Sequence, residues 1–177
     1  MKTSFNRQQS QNKSIKPNIN QSLVILCPFS HLENQMRGAD PINTFFLTRM
    51  GARVDDMDLD TQEAVRDFIR AQKISCITLV VSPDCMFIDR IISRKKRFGI
   101  GPESILENIY IEHFNEKFRY LDSASQKAEL AKWYAKDQLE SLANLTLIKN
   151  VLQEKDIELY FEVVTESKVT NKKVILI

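Results

Sequence analysis

The stretch that decides the fold is Leu23-Val24-Ile25-Leu26-Cys27, a continuous apolar run that ends at Pro28. Such a run is typical of a strand buried on both faces, as in a parallel sheet. Further strand-like runs lie at residues 44–48, 74–81 and 157–164. Helical patterns separate them, so the sequence predicts an α/β fold with a mainly parallel central sheet flanked by helices. The strands that end at Cys27 and begin at residue 74 are expected to be neighbours.

The first helical segment follows the second strand. Its cap is predicted at Asp60 or Thr61. Four of its residues are predicted to share one inward face: Ala64, Val65, Phe68 and Ile69. A second helix is predicted to open at Pro83-Asp84, after the third strand, and to end near Gly99.

The last third of the chain is predicted to be mostly helical. Residues 100–125 indicate one or two short helices over the core, and a long helix is expected from about Gln126, with Trp133 inward. A shorter helix should follow over residues 147–154. A terminal strand is predicted at 174–176, after a turn at Thr170-Asn171.

Length and composition fit one globular domain. The chain has 177 residues, 43% hydrophobic and 27% charged, and no apolar stretch long enough to span a membrane. Half of residues 1–20 are Ser, Asn or Gln, so we expect a polar flexible tail over 1–21 and a single domain over 22–177. Three cysteines are too few for a disulfide framework, which predicts a reducing, cytoplasmic compartment.

Two of the cysteines are candidates for a site. Cys27 ends the first strand and Cys85 follows the third, and ligands in open α/β sheets bind beyond the carboxyl ends of strands. Two thiolates are half of a structural zinc site, or two thirds of a catalytic one. The spacing alone still favours coincidence and packing over a metal site.

Three blocks of sequence carry a resemblance to a known family. The first is Leu26-Cys27-Pro28-Phe29-Ser30-His31. The second runs from Gly51-Ala52-Arg53-Val54-Asp55-Asp56 to Ser82-Pro83-Asp84-Cys85, and the third combines Asp137-Gln138-Leu139 with residues 157–177. In order and spacing they are similar to the small β-class carbonic anhydrases, over residues 22–98 and 130–177. The chain resembles a divergent member of that family.

The resemblance implies a zinc ion held by two cysteines and one histidine, with hydroxide at the fourth position. Cys27 and Cys85 match the two cysteines. The other positions of the family motifs are altered: Ser82 stands at the histidine, Phe29 at the Asp that orients the hydroxide, His31 at the Arg that holds this Asp, and Met86 at the Gly after the second cysteine.

These changes favour a non-catalytic relative, a pseudoenzyme with a binding or regulatory role. The hydroxyl of Ser82 is a poor zinc ligand beside thiolate or imidazole, and Phe29 has no atom to accept the hydroxide's proton. Within this interpretation Cys27 and Cys85 are either a degenerate zinc site or inert buried thiols. No residue is predicted to be catalytic, and the cofactor is either none or zinc.

One alternative is a rebuilt metal site. His31 lies close to Cys27 in the sequence, so Cys27, Cys85 and His31 would restore a zinc-binding set with one open position. Ser82 is the other candidate third ligand, and His113 is a weaker one. Such a site would make the protein a zinc lyase of the carbonate dehydratase type or a related hydrolase. Two facing thiols without metal could also oxidise.

The partners predicted from the sequence are few. A homodimer is implied by the resemblance, with four phenylalanines as apolar surface to cover: Phe45, Phe46, Phe114 and Phe118. A basic cluster spans residues 90–97, but cations near a helix C-terminus complement the helix dipole, and the net charge is only +2. We therefore expect neither nucleic-acid nor membrane binding, and the sequence names no protein partner.

Overall fold

The computed structural model describes residues 21–30, 32–37, 43–165 and 168–175. Five strands lie in this part of the chain: β1 Gln21–Leu26, β2 Thr44–Thr48, β3 Ile74–Val81, β4 Glu158–Thr165 and β5 Lys168–Ile175. They form one sheet in the order β2-β1-β3-β4-β5. All neighbouring pairs are parallel except β4 and β5, which are antiparallel. The predicted α/β fold and mainly parallel sheet are confirmed.

Helices connect the strands and cover the sheet. In the described residues they are α1 Glu33–Arg37, α2 Leu59–Ala71, α3 Met86–Ile92, α4 Gly101–Glu112, α5 Ser123–Asn144 and α6 Thr146–Lys155. Short 3₁₀ turns lie at Pro28–Ser30 and Met50–Ala52, and one π turn lies at Phe114–Phe118.

The core lies on both faces of the sheet, because successive side chains of a strand point to opposite sides. Leu23 and Ile25 of β1 join the larger cluster, together with residues from α2 to α6. Val24 and Leu26 join a smaller cluster on the other face, against Leu32. Burial on both faces explains why β1 has no alternating polar residues, and it contributes about 1.5–3 kcal/mol for each buried aliphatic side chain.

The register of β1, β2 and β3 places their carboxyl ends together, at the same end of the sheet. Leu26 at the end of β1 pairs with Thr48 at the end of β2 and with Val80 near the end of β3. The residues that follow these ends, Cys27 and Ser82 among them, therefore meet at the same side of the sheet.

Helix α2 differs from its prediction in its cap and its face. Asp58 caps it, and Oδ1 of Asp58 accepts a hydrogen bond from the Thr61 backbone N–H at 2.8 Å. Ala64 is exposed and Phe68 is 36% exposed. The Phe68 ring packs against Phe45, at 5.1 Å between centroids. Since Phe45 belongs to the edge strand β2, this side of α2 lies over the edge of the sheet, where no further strand is described to bury it.

Two element ends were also predicted wrongly. Helix α3 ends at Ile92 rather than near Gly99, since Arg94 adopts a left-handed backbone with φ of 51°. In β5, Thr170 pairs with Val163 of β4, so Thr170-Asn171 belongs to a strand and is not a turn. Polar residues are tolerated there because β5 is an edge strand in the described sheet.

The region 100–125 contains helix α4 and the π turn, as the prediction of short helices over the core required. Phe118 is fully buried within its own chain, so it is not part of an apolar surface that needs a partner. Helix α5 begins at Ser123, after a cap at Asp122. Tyr134 is its large buried residue, whereas Trp133 is only half-buried.

Candidate functional site

The two candidate cysteines lie side by side. Cys27 directly follows β1, and Cys85 occupies the position just before α3, after the adjacent strand β3. Their Sγ atoms are 3.7 Å apart, and each residue is 3% exposed. Both are free thiols. The prediction that β1 and β3 are neighbours is confirmed, and so is the predicted approach of the two sulfurs.

Gly51 contributes a backbone donor to this pair. Its N–H donates to Cys27 Sγ at 3.2 Å. Gly51 has a φ of 65°, and a Cβ there would lie 2.6 Å from Cβ of Pro102, so no other residue fits without strain. The sequence indicated only a turn at this position, because a hydrogen bond to a distant sulfur leaves no local pattern.

The two sulfurs differ in their affinity for a proton. The hydrogen bond from Cys85 is the main cause that lowers the pKa of Cys27, against the opposing effect of burial. The backbone amides of Phe29, Gly51 and Ala52 lower that pKa further. The pKa of Cys85 is raised, because its thiol donates to Cys27 and is buried. Cys27 is therefore the sulfur that carries the negative charge when the pair loses one proton.

Ser82 is hydrogen-bonded within the turn before Cys85, through both its side chain and its carbonyl group. Its side chain is buried, with the residue 1% exposed, and Oγ accepts a hydrogen bond from the Asp84 N–H at 3.1 Å. Its carbonyl oxygen accepts from the Cys85 N–H at 3.0 Å. Ser82 thus shapes the backbone that carries Cys85, and only a weak neutral oxygen remains to face a ligand.

Phe29 lies at the surface rather than between the sulfurs. It is 40% exposed, and its ring packs edge-on against Phe87, at 5.9 Å between centroids. Phe87 in turn packs edge-on against Phe98 at 6.3 Å. These three rings form an edge-to-face cluster, and two of them belong to residues that closely follow Cys27 and Cys85 in the chain.

Tyr134 has a buried hydroxyl close to the site. The residue is 1% exposed, and its oxygen has no hydrogen-bond partner among the described residues. That oxygen lies 3.2 Å from the point that a Cβ on Gly51 would occupy. Burial, followed by the charge of Asp55, raises the pKa of Tyr134, so the hydroxyl is neutral and can donate a hydrogen bond. No sequence motif pointed to Tyr134, although its spacing from Leu130 places both on one helix face.

The two histidines have different outcomes. His31 lies outside the described residues. His113 stacks on Trp133, with 4.3 Å between ring centroids. Within the described ranges, no group of three or more His, Cys, Asp or Glu side chains is arranged to hold a metal ion.

The geometry of the sulfurs can be compared with that of zinc. Two thiolates at 2.3 Å from a tetrahedral ion are separated by about 3.8 Å. The observed 3.7 Å fits two ligands of such an ion. A third strong ligand is missing from the described side chains around the pair, because Ser82 offers only its hydroxyl. The described residues therefore do not complete a zinc site.

The basic cluster of residues 90–97 is partly matched by other side chains. Three of its members have partners: Lys95 pairs with Asp89, Arg97 pairs with Glu107, and the Arg90 guanidinium lies 3.6 Å from the centre of the Phe98 ring. These contacts tie the segment after α3 to α3 itself and to α4.

No helix in the described part of the chain is long and apolar enough to cross a membrane.

Comparison with known proteins identifies the fold. No protein-family model and no curated protein matches the sequence. The fold and the site together define a class of protein: an open α/β sheet with a cysteine pair at the carboxyl ends of its parallel strands. Among solved structures, the chain is similar to β-carbonic anhydrases. One match comes from the crystal structures of two tetrameric β-carbonic anhydrases of the filamentous ascomycete Sordaria macrospora. Its TM-score is 0.72 at 18% identity, over 91% of this chain and 87% of the other.

Two further matches agree. The β-carbonic anhydrase CafA of the fungal pathogen Aspergillus fumigatus has a TM-score of 0.72 at 18% identity, over 86% of this chain and 75% of its own. The Coccomyxa β-carbonic anhydrase in complex with acetazolamide has a TM-score of 0.67 at 15% identity, over 89% and 74%. The protein has the β-carbonic anhydrase fold, as the resemblance implied, and its low identity to these structures agrees with a divergent chain.

Proposed function

We propose that this protein uses a β-carbonic anhydrase fold without hydrating carbon dioxide, and that it acts as a self-associating binding or regulatory protein. The observation that carries the proposal is the state of Ser82. The family resemblance assigns this position to the third zinc ligand, and here its hydroxyl accepts from the Asp84 N–H.

The chemistry of hydration supports the same conclusion. The reaction needs a metal that lowers the pKa of bound water toward neutrality, together with a group that orients the resulting hydroxide. Cys27 and Cys85 are two ligands for the metal. Phe29, at the position of the orienting carboxylate, is a surface ring packed on Phe87 and accepts no hydrogen bond. Both requirements are therefore lost at different residues.

The test is metal analysis and a hydration assay on protein purified without added metal or an affinity tag. We expect hydration at the background rate and zinc well below one atom per chain. A Cys27→Ser variant, which removes one of the two sulfurs, is the control and should give the same rate. Hydration by the unmodified protein that exceeds this control would contradict the proposal.

A second candidate function is favoured by the separation of 3.7 Å between the sulfurs, which suits zinc. In this alternative His31 is the third ligand, and the protein is a zinc-dependent carbonic anhydrase or a related hydrolase. One zinc atom per chain would favour it. His31→Ala should then release the metal, whereas Ser82→Ala should retain it.

Self-association is supported by an apolar surface at the edge of the sheet. Phe46 and Leu47 of β2, with Ala64 and Phe68 of α2, line a depression of about 520 Å³. Phe68 and Ala64 are exposed there, although both belong to the apolar face of α2, which was predicted to be buried. The Sordaria structures are tetrameric. We propose that a second copy of this chain covers the surface and that the smallest assembly is a homodimer.

Light scattering after size exclusion tests the assembly. The protein at micromolar concentration is expected to have at least twice the mass of one chain. Phe68→Glu should shift it to the monomer, because a charge is then buried in the contact. Ile111→Glu is the matched control, since Ile111 is 65% exposed on α4 and does not line the depression. A monomeric unmodified protein, or equal effects of both variants, would contradict the proposal.

The remaining features of the proposal come from the sequence. They are a single domain over 22–177 and a cytoplasmic location, whereas residues 1–20 of the predicted tail lie outside the described part of the chain. All three cysteines are free thiols, which is compatible with a reducing compartment.

A further inference from the structure

The cysteine pair has the arrangement of a dithiol. A disulfide has an S–S bond of about 2.0 Å, so the two sulfurs must approach by about 1.7 Å from their present separation. Rotation about the two Cα–Cβ bonds is the movement that the reaction requires. Both sulfurs lie beyond adjacent parallel strands, which hold their backbones in fixed relation. The third thiol, Cys76, lies within β3 and contacts Thr78 instead.

We propose that Cys27 and Cys85, when free of metal, are a redox site that forms an intramolecular disulfide with a small peroxide and returns to two thiols with a dithiol reductant. The proposal rests on the proposed function in one respect, because zinc bound to these sulfurs would block the reaction. It adds an activity that neither the fold nor the family resemblance assigns.

The order of events follows from the hydrogen bonds. The Cys85 thiol and the Gly51 N–H both donate to Cys27 Sγ, so Cys27 is the sulfur that attacks. Its attack breaks the O–O bond of hydrogen peroxide and gives a sulfenic acid at Cys27 and hydroxide. The Cys85 sulfur then attacks Cys27 Sγ, the S–O bond breaks and water leaves. In total two thiols lose two electrons and two protons, and the peroxide becomes two water molecules.

Burial selects the oxidant. Each cysteine is only 3% exposed, so a bulky disulfide such as oxidised glutathione has no path to the sulfur. Hydrogen peroxide is close to water in size and needs a much smaller opening.

The experiment begins with metal-free protein, prepared with a chelator and checked by zinc analysis. It is treated with hydrogen peroxide or with oxidised glutathione, then denatured and labelled with a maleimide. We expect peroxide to reduce the labelled cysteines from three to one per chain, and glutathione disulfide to leave three. Peptide mapping should join the peptides of Cys27 and Cys85, and dithiothreitol should restore all three labels.

Three variants identify the roles. Cys85→Ser should stop at a sulfenic acid on Cys27, which dimedone traps, and Cys27→Ser should form no disulfide. Cys76→Ser is the control and should still lose two labels. Three labelled cysteines in metal-free, peroxide-treated protein would overturn the proposal, as would a linkage through Cys76. One zinc atom per chain before chelation would instead contradict the proposed function, and the metal-free protein would still decide the redox inference.

Discussion

Replacing Ser82 with His is expected to raise the zinc content to about one atom per chain. The two sulfurs already have the separation of zinc ligands, and the imidazole would supply the third strong donor. The Asp84 N–H loses its acceptor in this variant, which costs about 1–3 kcal/mol of stability if it finds no water. Metal analysis after dialysis measures the gain. Ser125→His, on the exposed start of α5, is the matched control and should bind no zinc at this stoichiometry.

Zinc alone should not give much activity, because the hydroxide acceptor is still absent. The triple variant Ser82→His, Phe29→Asp, His31→Arg supplies the acceptor and its partner, and we expect hydration clearly above background. Adding Cys85→Ser to this variant should abolish both zinc and activity. A triple variant that holds zinc but remains inactive would mean that position 29 does not face the metal.

The strands could be predicted because burial on both faces leaves a simple pattern. β1 contains the apolar run Leu23–Leu26 and β3 ends in Leu79-Val80-Val81. Runs this short between turn signals are typical of buried strands, and their parallel pairing follows from the helices between them. Since the carboxyl ends of parallel strands meet at one edge, the approach of Cys27 and Cys85 followed as well. This part of the site is a consequence of topology, which the sequence contains.

The helix faces could not be predicted as well, because they depend on what lies beneath each helix. Ala64 and Phe68 continue the apolar stripe of α2, yet that stripe extends past the edge strand β2. Tyr134 and Gln138 were missed for a related reason. Gln138 accepts from backbone N–H groups far away in the sequence, and the Tyr134 hydroxyl lies beside the Gly51 turn. A polar side chain that faces inward resembles a surface residue in a linear pattern.

Gln138 is an expected point of large destabilisation. It is fully buried on α5, and its Oε1 accepts from the Val54 N–H at 2.8 Å and more weakly from the Asp55 N–H at 3.4 Å. Gln138→Leu keeps the volume but removes this acceptor. A buried amide without an acceptor costs about 1–3 kcal/mol, so we expect a loss of about 1–3 kcal/mol in the free energy of unfolding.

Urea unfolding measures this loss, with Gln153→Leu as the control. Gln153 is exposed on α6, so its replacement should change stability by less than about 0.5 kcal/mol. The segment that contains Val54 and Asp55 closely follows Gly51, whose N–H contacts Cys27 Sγ. Gln138→Leu should therefore also make Cys27 react faster with a thiol reagent under native conditions, whereas Gln153→Leu should not. Equal stability of the two variants would show that water replaces the lost acceptor. Lost stability with unchanged reactivity of Cys27 would mean that the Gly51 turn is held by its own contact with Pro102 instead.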